Sequence, residues 1–321
     1  MILRYAALLL IMFQVIPFGL ADEPGVMQKP VIVKHGTIDL DLVECTPVVF
    51  QDRLYRFEYV RAKYKPNTTG DSYFRFIDVE TQKPTKAFAQ GYHLGSAFVD
   101  GKTIYVTGVD KWGENRIELF YSTDMINWQS RTVLDVSKYE IFNTSMCRDK
   151  TGYVLMFEIG APKEEAGSRF TARFTTSKDL ISWTITPPEC VYSKDRYTAP
   201  HCLRYLDGYY YNFYLEAYQG YEMRVVRSKD LIHWEPSPLN PVLRHSEDDK
   251  KIANPKLTVE QRKSITEAKN INNSDIDFCE YQGRTVILYS WGNQHGVEFL
   301  AEASYAGTEA SFIRSWFPDN K

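Results

Sequence analysis

The stretch "SKDLIHW" at residues 228–234 has a near copy, "SKDLISW", at 177–183 and a looser one, "STDMINW", at 122–128. A chain that writes one phrase at starting positions 122, 177 and 228 is built from repeated units, and that decides its fold before any local propensity does. The chemistry of the phrase is that of a tight corner between strands. Ser and Asp side chains accept hydrogen bonds from nearby backbone amides and fix the turn, while the Leu or Met and the Trp point back into the core. Each copy follows an alternating apolar stretch, "NRIELFYSTD", "FTARFTTSKD" or "YEMRVVRSKD", the pattern of a half-buried strand.

Upstream of the corners a second phrase recurs: a strand, a turn, then an aromatic strand. Its copies are "ECTPVVFQDRLYRFEY", "GSAFVDGKTIYVTG", "TSMCRDKTGYVLMFEIG", "APHCLRYLDGYYYNFYLEA" and "DIDFCEYQGRTVILYSWG". Gly101, Gly152, Gly208 and Gly283 mark the hairpin turn, where positive φ costs glycine little. Tyr, Phe and Trp make up 14% of the chain, and aromatic side chains favour pleated, half-buried surfaces. Five units of this kind predict an all-β, five-bladed β-propeller around a central channel, opening near Glu44 and reaching blade five near Asp275. Between blades four and five, "NPKLTVEQRKSITEAKN" spaces Thr258 and Gln261 as a capping box ahead of apolar residues at helical intervals. This predicts a short helical insertion rather than a second domain.

The N-terminus "MILRYAALLLIMFQVIPFGLADEPG" has one early Arg4, an apolar run and small residues at Gly19 and Ala21, the layout of a secretory signal peptide. The expected organisation is a signal peptide over 1–21 and a single propeller domain over 22–321, secreted or periplasmic. With 38 basic and 41 acidic residues, nothing points to a nucleic-acid or membrane partner. Five scattered cysteines, Cys45, Cys147, Cys190, Cys202 and Cys279, read as buried free thiols, with one disulfide as the alternative.

"GYYYxFY" hairpins joined to "S-x-D-L-x-x-W" corners resemble the five-bladed glycosidase superfamily that includes glycoside hydrolase families 43, 32, 117 and 130. The resemblance spans nearly all of the chain after the signal peptide and implies a carbohydrate-active protein with its substrate at one mouth of the channel. The chain departs from the family 43 pattern at the catalytic positions. Where that family carries its general-base Asp before Pro, this chain has Thr46-Pro47, and its general-acid Glu is matched by Thr198. The third-blade Asp of that family falls at Asn143 or Thr144.

Glycoside hydrolysis uses two carboxyl groups flanking the scissile bond, so acids at the channel-facing ends of strands become the candidates. Glu158 in "LMFEIG" and Glu216 in "FYLEAY" form the preferred pair, with Asp277 or Glu44 holding the sugar or tuning a pKa. Asp277, between Ile276 and Phe278, must point away from them; Asp275 is expected to share its face. A solvated strand edge or an Arg partner is the plain alternative for Glu44, Glu158 and Glu216, and a turn-forming role for Asp275. His93 and His201, at matching inner-strand positions, suit a sugar hydroxyl or a structural bond. Arg173 and Arg224 suit an anionic sugar, or phosphate if the protein were a phosphorylase, or simply a neighbouring Glu. Trp291 and Tyr218 suit a stacking platform, and Asn293, Gln294, His295 and Glu298 crowd the fifth-blade mouth.

No cofactor is expected to be required, and Asp275 and Asp277 offer oxygen ligands should a Ca²⁺ ion occupy the channel. The function expected is a secreted glycoside hydrolase acting on a plant or algal polysaccharide or oligosaccharide. A non-catalytic glycan-binding propeller and a glycoside phosphorylase stand as alternatives.

Overall fold

The computed structural model describes residues 28–61, 72–217 and 220–318; residues 1–21 and Tyr218 lie outside that range. Most of the ordered backbone is strand, arranged in five small antiparallel sheets. Their innermost strands are Thr46–Phe50, His93–Asp100, Glu140–Arg148, His201–Leu206 and Asn272–Tyr281. Each packs against the next, and the fifth packs against the first, so the ring closes as a five-bladed propeller. The hairpin turns behave as the glycines suggest: Gly101, Gly208 and Gly283 take positive φ, and in blade one Gln51 and Asp52 do the same without glycine.

The repeated corner is built alike in all three copies. Ser228 Oγ accepts from the amide of Leu231 at 2.9 Å, and Asp230 Oδ1 accepts from the amides of Ile232 and His233 at 2.9 and 2.8 Å. Ser177 with Asp179, and Ser122 with Asp124, repeat the arrangement. Met125, Leu180 and Leu231 adopt positive φ in the corner and are buried, and Trp128, Trp183 and Trp234 pack against the core behind them. The motif is scaffold.

Two features of the ring have no signal in the repeats. Blade five takes its outermost strand, Ile32–Leu40, from the start of the described chain; it pairs antiparallel with Glu298–Tyr305. Blade one has three strands among the described residues, its outer edge carried by the isolated bridges Phe74–Phe88 and Ile77–Pro84. The expected insertion is present as a short 3₁₀ turn, Glu247–Lys250, and a helix, Val259–Glu267. Thr258 caps that helix, its Oγ1 accepting from the Gln261 amide at 3.2 Å while Gln261 Oε1 accepts from the Thr258 amide at 2.8 Å.

The insertion is pinned through Asp249, whose side chain is fully buried. It accepts from Tyr289 Oη at 2.8 Å, Asn270 Nδ2 at 2.8 Å and Asn273 Nδ2 at 3.1 Å, and pairs with Lys34 Nζ at 2.7 Å. One carboxylate thus joins the closing strand, the insertion and blade five. All five cysteines are unpaired, and four are buried. No helix among the described residues is long and apolar enough to cross a membrane.

Candidate active site

At the upper mouth of the channel lies a cavity of about 360 Å³. Its wall draws on every blade: Glu44 and Arg61 from blade one, Leu94 and Trp112 from two, Phe142, Asn143 and Phe170 from three, Tyr197, Ala199, Pro200 and Leu215 around four, and Asp275 with Gln294 and His295 from five. Three of these residues, Leu94, Asn143 and Asp275, sit where the inner strands break register. Register shifts fall between His93 and Ser96, near Asn143 opposite Glu158, and between Ser274 and Asp277. Glu44, Leu94 and Asp275 adopt φ of 52°, 53° and 53°, the left-handed region that β-carbons disfavour. Bulges and unfavourable φ at one mouth are the usual marks of a site where geometry takes precedence over stability.

One wall is aromatic. Trp112, Phe142, Phe170 and Tyr197 meet edge to face in succession, with ring centroids 6.0, 4.6 and 5.5 Å apart. The opposite side is acidic, with Arg61 between. Burial pushes the Glu44 carboxyl up to about 8, and the charges of Asp275 and Glu158 add to the rise while Arg61 opposes it. Burial also raises Asp275, to about 6, against the Ser274 hydrogen bond and Arg61. Glu44 Oε2 is a buried atom with no partner among the described residues.

A smaller pocket of about 30 Å³ adjoins the cavity, sharing Glu44, Asn143, Pro200 and Asp275 with it and lined also by His201 and Asp277. Glu158 is fully buried behind it. Its Oε1 lies 2.8 Å from His201 Nδ1, and its Oε2 accepts from Asn143 Nδ2 at 3.0 Å. The remaining polar atoms of both partners, His201 Nε2 and Asn143 Oδ1, are buried without a hydrogen bond, as is Thr198 Oγ1. A broader depression of about 490 Å³ opens at the opposite mouth, but its central Arg204 is already held by Asp277, Glu309 and the Phe278 carbonyl.

The structure brings together Glu44, Asp275, Asn143, His201 and His295 and sets other candidates apart. Glu216 is absent from the described cavity wall; it accepts from Tyr214 Oη at 3.0 Å and pairs with Arg196 and Arg224 at 3.5 and 3.4 Å. The preferred Glu158–Glu216 pair is therefore not a pair across the cavity. Asp277 does not act alongside Asp275, because the intervening bulge turns it to Arg204 and to the Cys202 thiol. Trp291 is no stacking platform: it is wholly enclosed, donating to Thr37 Oγ1 at 2.9 Å and stacked on Phe299.

Arg173 is spent on the carbonyls of Thr186, Pro187 and Cys190, and Arg224 on Glu216. His93 is fully buried against Tyr59 Oη at 2.5 Å and Ser72 Oγ at 3.3 Å; burial and Arg61 push it down to about 4, so it stays neutral. Asn293 folds the fifth-blade loop, accepting from the His295 and Val297 amides, and that loop carries Gln294 and His295 to the cavity. Arg61, Trp112, Phe170 and Tyr197 had no signal in the repeats, since they lie on strand ends and connections rather than in the inner-strand phrase. Among the described residues no group of three or more His, Cys, Asp or Glu side chains is placed to hold a metal ion.

Ring, bulged inner strands and a carboxylate-bearing cavity together define a five-bladed β-propeller. Solved structures with this fold include BT0996 in complex with RGII, with 12% identity and a TM-score of 0.62 over 88% of this protein and 94% of that one. An exo-1,5-α-L-arabinanase from a bovine ruminal metagenomic library matches with 10% identity and a TM-score of 0.53 over 83% and 93% of the two proteins. A family 43 endo-arabinanase from Bacillus licheniformis matches with 13% identity and a TM-score of 0.51 over 84% and 96%. No family model and no curated protein matches the sequence.

Proposed function

We propose that the protein is a secreted glycoside hydrolase acting on a plant or algal polysaccharide or oligosaccharide, without a redox cofactor, and that Glu44 and Asp275 are its working carboxyl groups. The observation that carries this reading is the placement of two carboxyls, Glu44 and Asp275, on the wall of one cavity beside a run of aromatic rings; burial raises both, Glu44 more than Asp275. Separating two carboxyls in this way is how one site supplies both an acid and a base near neutral pH. Glu44 then keeps its proton for the departing glycosidic oxygen, while Asp275 is ionised and faces the sugar or its attacking water. The aromatic wall supplies apolar faces on which a sugar ring packs, and Arg61 moderates the acidic side.

Thr46 and Thr198, which replace the family 43 carboxyls, favour a second reading as a non-catalytic glycan-binding propeller. The two readings separate in a screen of the purified protein against polysaccharides and aryl glycosides, with and without phosphate, alongside Glu44→Gln and Asp275→Asn. Hydrolysis that needs no phosphate and is lost in both variants supports the hydrolase. Binding without turnover supports the second reading, and turnover only with phosphate would make the protein a phosphorylase. Full activity in both variants would remove Glu44 and Asp275 from the chemistry.

A further inference from the structure

We propose that Glu298 is a positioning residue: its buried carboxyl latches the loop 293–297 against blade five and so sets where Gln294 and His295 meet a glycan in the cavity. This rests on reading the cavity as the substrate site, and it names what holds one side of that site in place.

The geometry comes first. The loop joins the strands Arg284–Gly292 and Glu298–Tyr305 and delivers Gln294, His295 and Gly296 to the cavity wall. Inside it, the Asn293 amide donates to the Val297 carbonyl at 3.1 Å, and Asn293 Oδ1 accepts from the His295 and Val297 amides at 2.7 and 3.2 Å. These bonds shape the loop from within. Glu298 ties it to the blade: Oε1 accepts from the Gln294 amide at 2.8 Å, and Oε2 lies 3.4 Å from Asn272 Nδ2 on the inner strand Asn272–Tyr281. Gln294 takes φ of 59°, a conformation that β-carbons disfavour and that its bond to Glu298 helps to hold. Gly292 belongs to the same device. A β-carbon there would meet the Val297 carbonyl oxygen at 2.1 Å and Glu298 Oε2 at 2.6 Å, so glycine is what lets the strand end close down on the carboxyl.

A plain structural role does not require an acid at this place. Glu298 is 1% exposed, and the charge that acts on it is a like one, Asp275, with no basic group offsetting it among the described residues. Burying such a charge is costly, and burial pushes the Glu298 carboxyl up to about 7. The other groups around it leave that balance alone. Asn272 and Ser274 on the inner strand are neutral, Asp41, whose amide donates to the Glu298 carbonyl at 3.0 Å, has an exposed side chain, and His295 in the loop is exposed. The Gln294 amide needs only an acceptor oxygen, which the neutral acid supplies as the anion does. Opening the loop uncovers the carboxyl and returns it to the ordinary carboxylate range. The closed loop therefore binds the proton more tightly than the open one. The latch is fully set below that range and weakens as pH rises through about 7.

The latch is read without substrate, from the hydrogen-exchange protection of the Gln294 amide by NMR between pH 5 and pH 9. The unaltered protein is expected to lose at least about tenfold in protection across that range. Glu298→Gln keeps the acceptor without the charge and should hold its protection throughout, whereas Glu298→Ala should have little at either end. Gly292→Ala, which presses on the carboxyl from the other side, should resemble Glu298→Ala and replaces it should that variant fail to fold. Protection that does not vary with pH in the unaltered protein, or that survives Glu298→Ala, overturns the latch. Positioning is read on whichever glycan the screen shows to be cleaved or bound. Glu298→Ala is expected to raise KM, or Kd where there is binding alone, about tenfold, the loss of one hydrogen bond. Its kcat should stay nearly unchanged, the mark of lost uniform binding. Glu298→Gln should abolish the rise of KM between pH 5 and pH 9. An unchanged KM in Glu298→Ala overturns the positioning role. A protein that neither cleaves nor binds any glycan removes the functional reading and that role with it, while the amide protection decides the latch by itself.

Discussion

At the scale of single residues, protonation decides the site. Glu44 has its folded-state pKa raised to about 8 by burial, with the neighbouring carboxylates adding to it. The folded protein therefore holds a proton that the unfolded chain gives up in the ordinary carboxylate range. Stability is fully expressed below that range and declines as pH rises towards about 8. Thermal melts at pH 5 and pH 9 are expected to show a drop for the unaltered protein and a clearly smaller one for Glu44→Gln. The same substitution is expected to lower kcat by roughly 10²–10⁴ on a substrate with a poor leaving group, the usual contribution of a general acid. On the proposed hydrolase reading, the pH–rate profile of the unaltered protein should be bell-shaped, with limbs near the two carboxyl values, about 6 and about 8, which belong to the pair jointly. Glu44→Gln should lose the alkaline limb. These residues were only partly legible beforehand: Glu44 and Asp275 are visible as acids near strand starts, but their positive φ and the bulge that parts Asp275 from Asp277 are backbone events that an alternating pattern does not encode.

Among the elements, the repeated corner is the best-read feature of the chain, because the bonds its Ser and Asp side chains make to backbone amides are local. Ser228 serves the Leu231 amide, and Asp230 serves two further amides and His233. Those hydrogen bonds hold the Asp230 carboxyl below its ordinary range, so its contribution to stability is present at neutral pH and is lost on acidification through the carboxylate range. Ser228→Ala is expected to cost about 1 kcal/mol in denaturant unfolding, as loss of a cap does, and to leave glycan turnover unchanged. Thr258→Ala, at the start of the helix Val259–Glu267, should behave likewise. The capping box was legible for the same reason, its partners lying three residues apart, whereas the corner tryptophans were legible from the repeat itself, their ring partners being distant in the chain. Trp291 was misleading because the strand Arg284–Gly292 is buried on both faces, so its position next to a polar loop did not expose it.

The whole molecule depends on a closure that no repeat announces. The strand Ile32–Leu40 completes blade five across the full length of the propeller, and Lys34 on it neutralises the buried Asp249. Lys34→Met removes the cation and leaves a buried carboxylate, a change expected to cost about 3–5 kcal/mol in chemical denaturation. Replacing Lys34 and Asp249 together by apolar residues should cost much less than the two single losses combined, since no charge is then left buried. Blade count, hairpins, corners and the capped insertion could all be read from residue order, because strand alternation, turn chemistry and capping act over a few residues and repeat with the unit. Which acids meet was set at the level of the folded ring. Glu44 and Asp275 stand far apart in the chain and face one cavity only because the ring closes and the backbone departs from regular strand at the same end of both blades. Glu216 and Asp277 are withdrawn by arginines that the fold brings against them. Contacts of that range depend on register shifts and ring closure, which leave no periodic trace in a single chain.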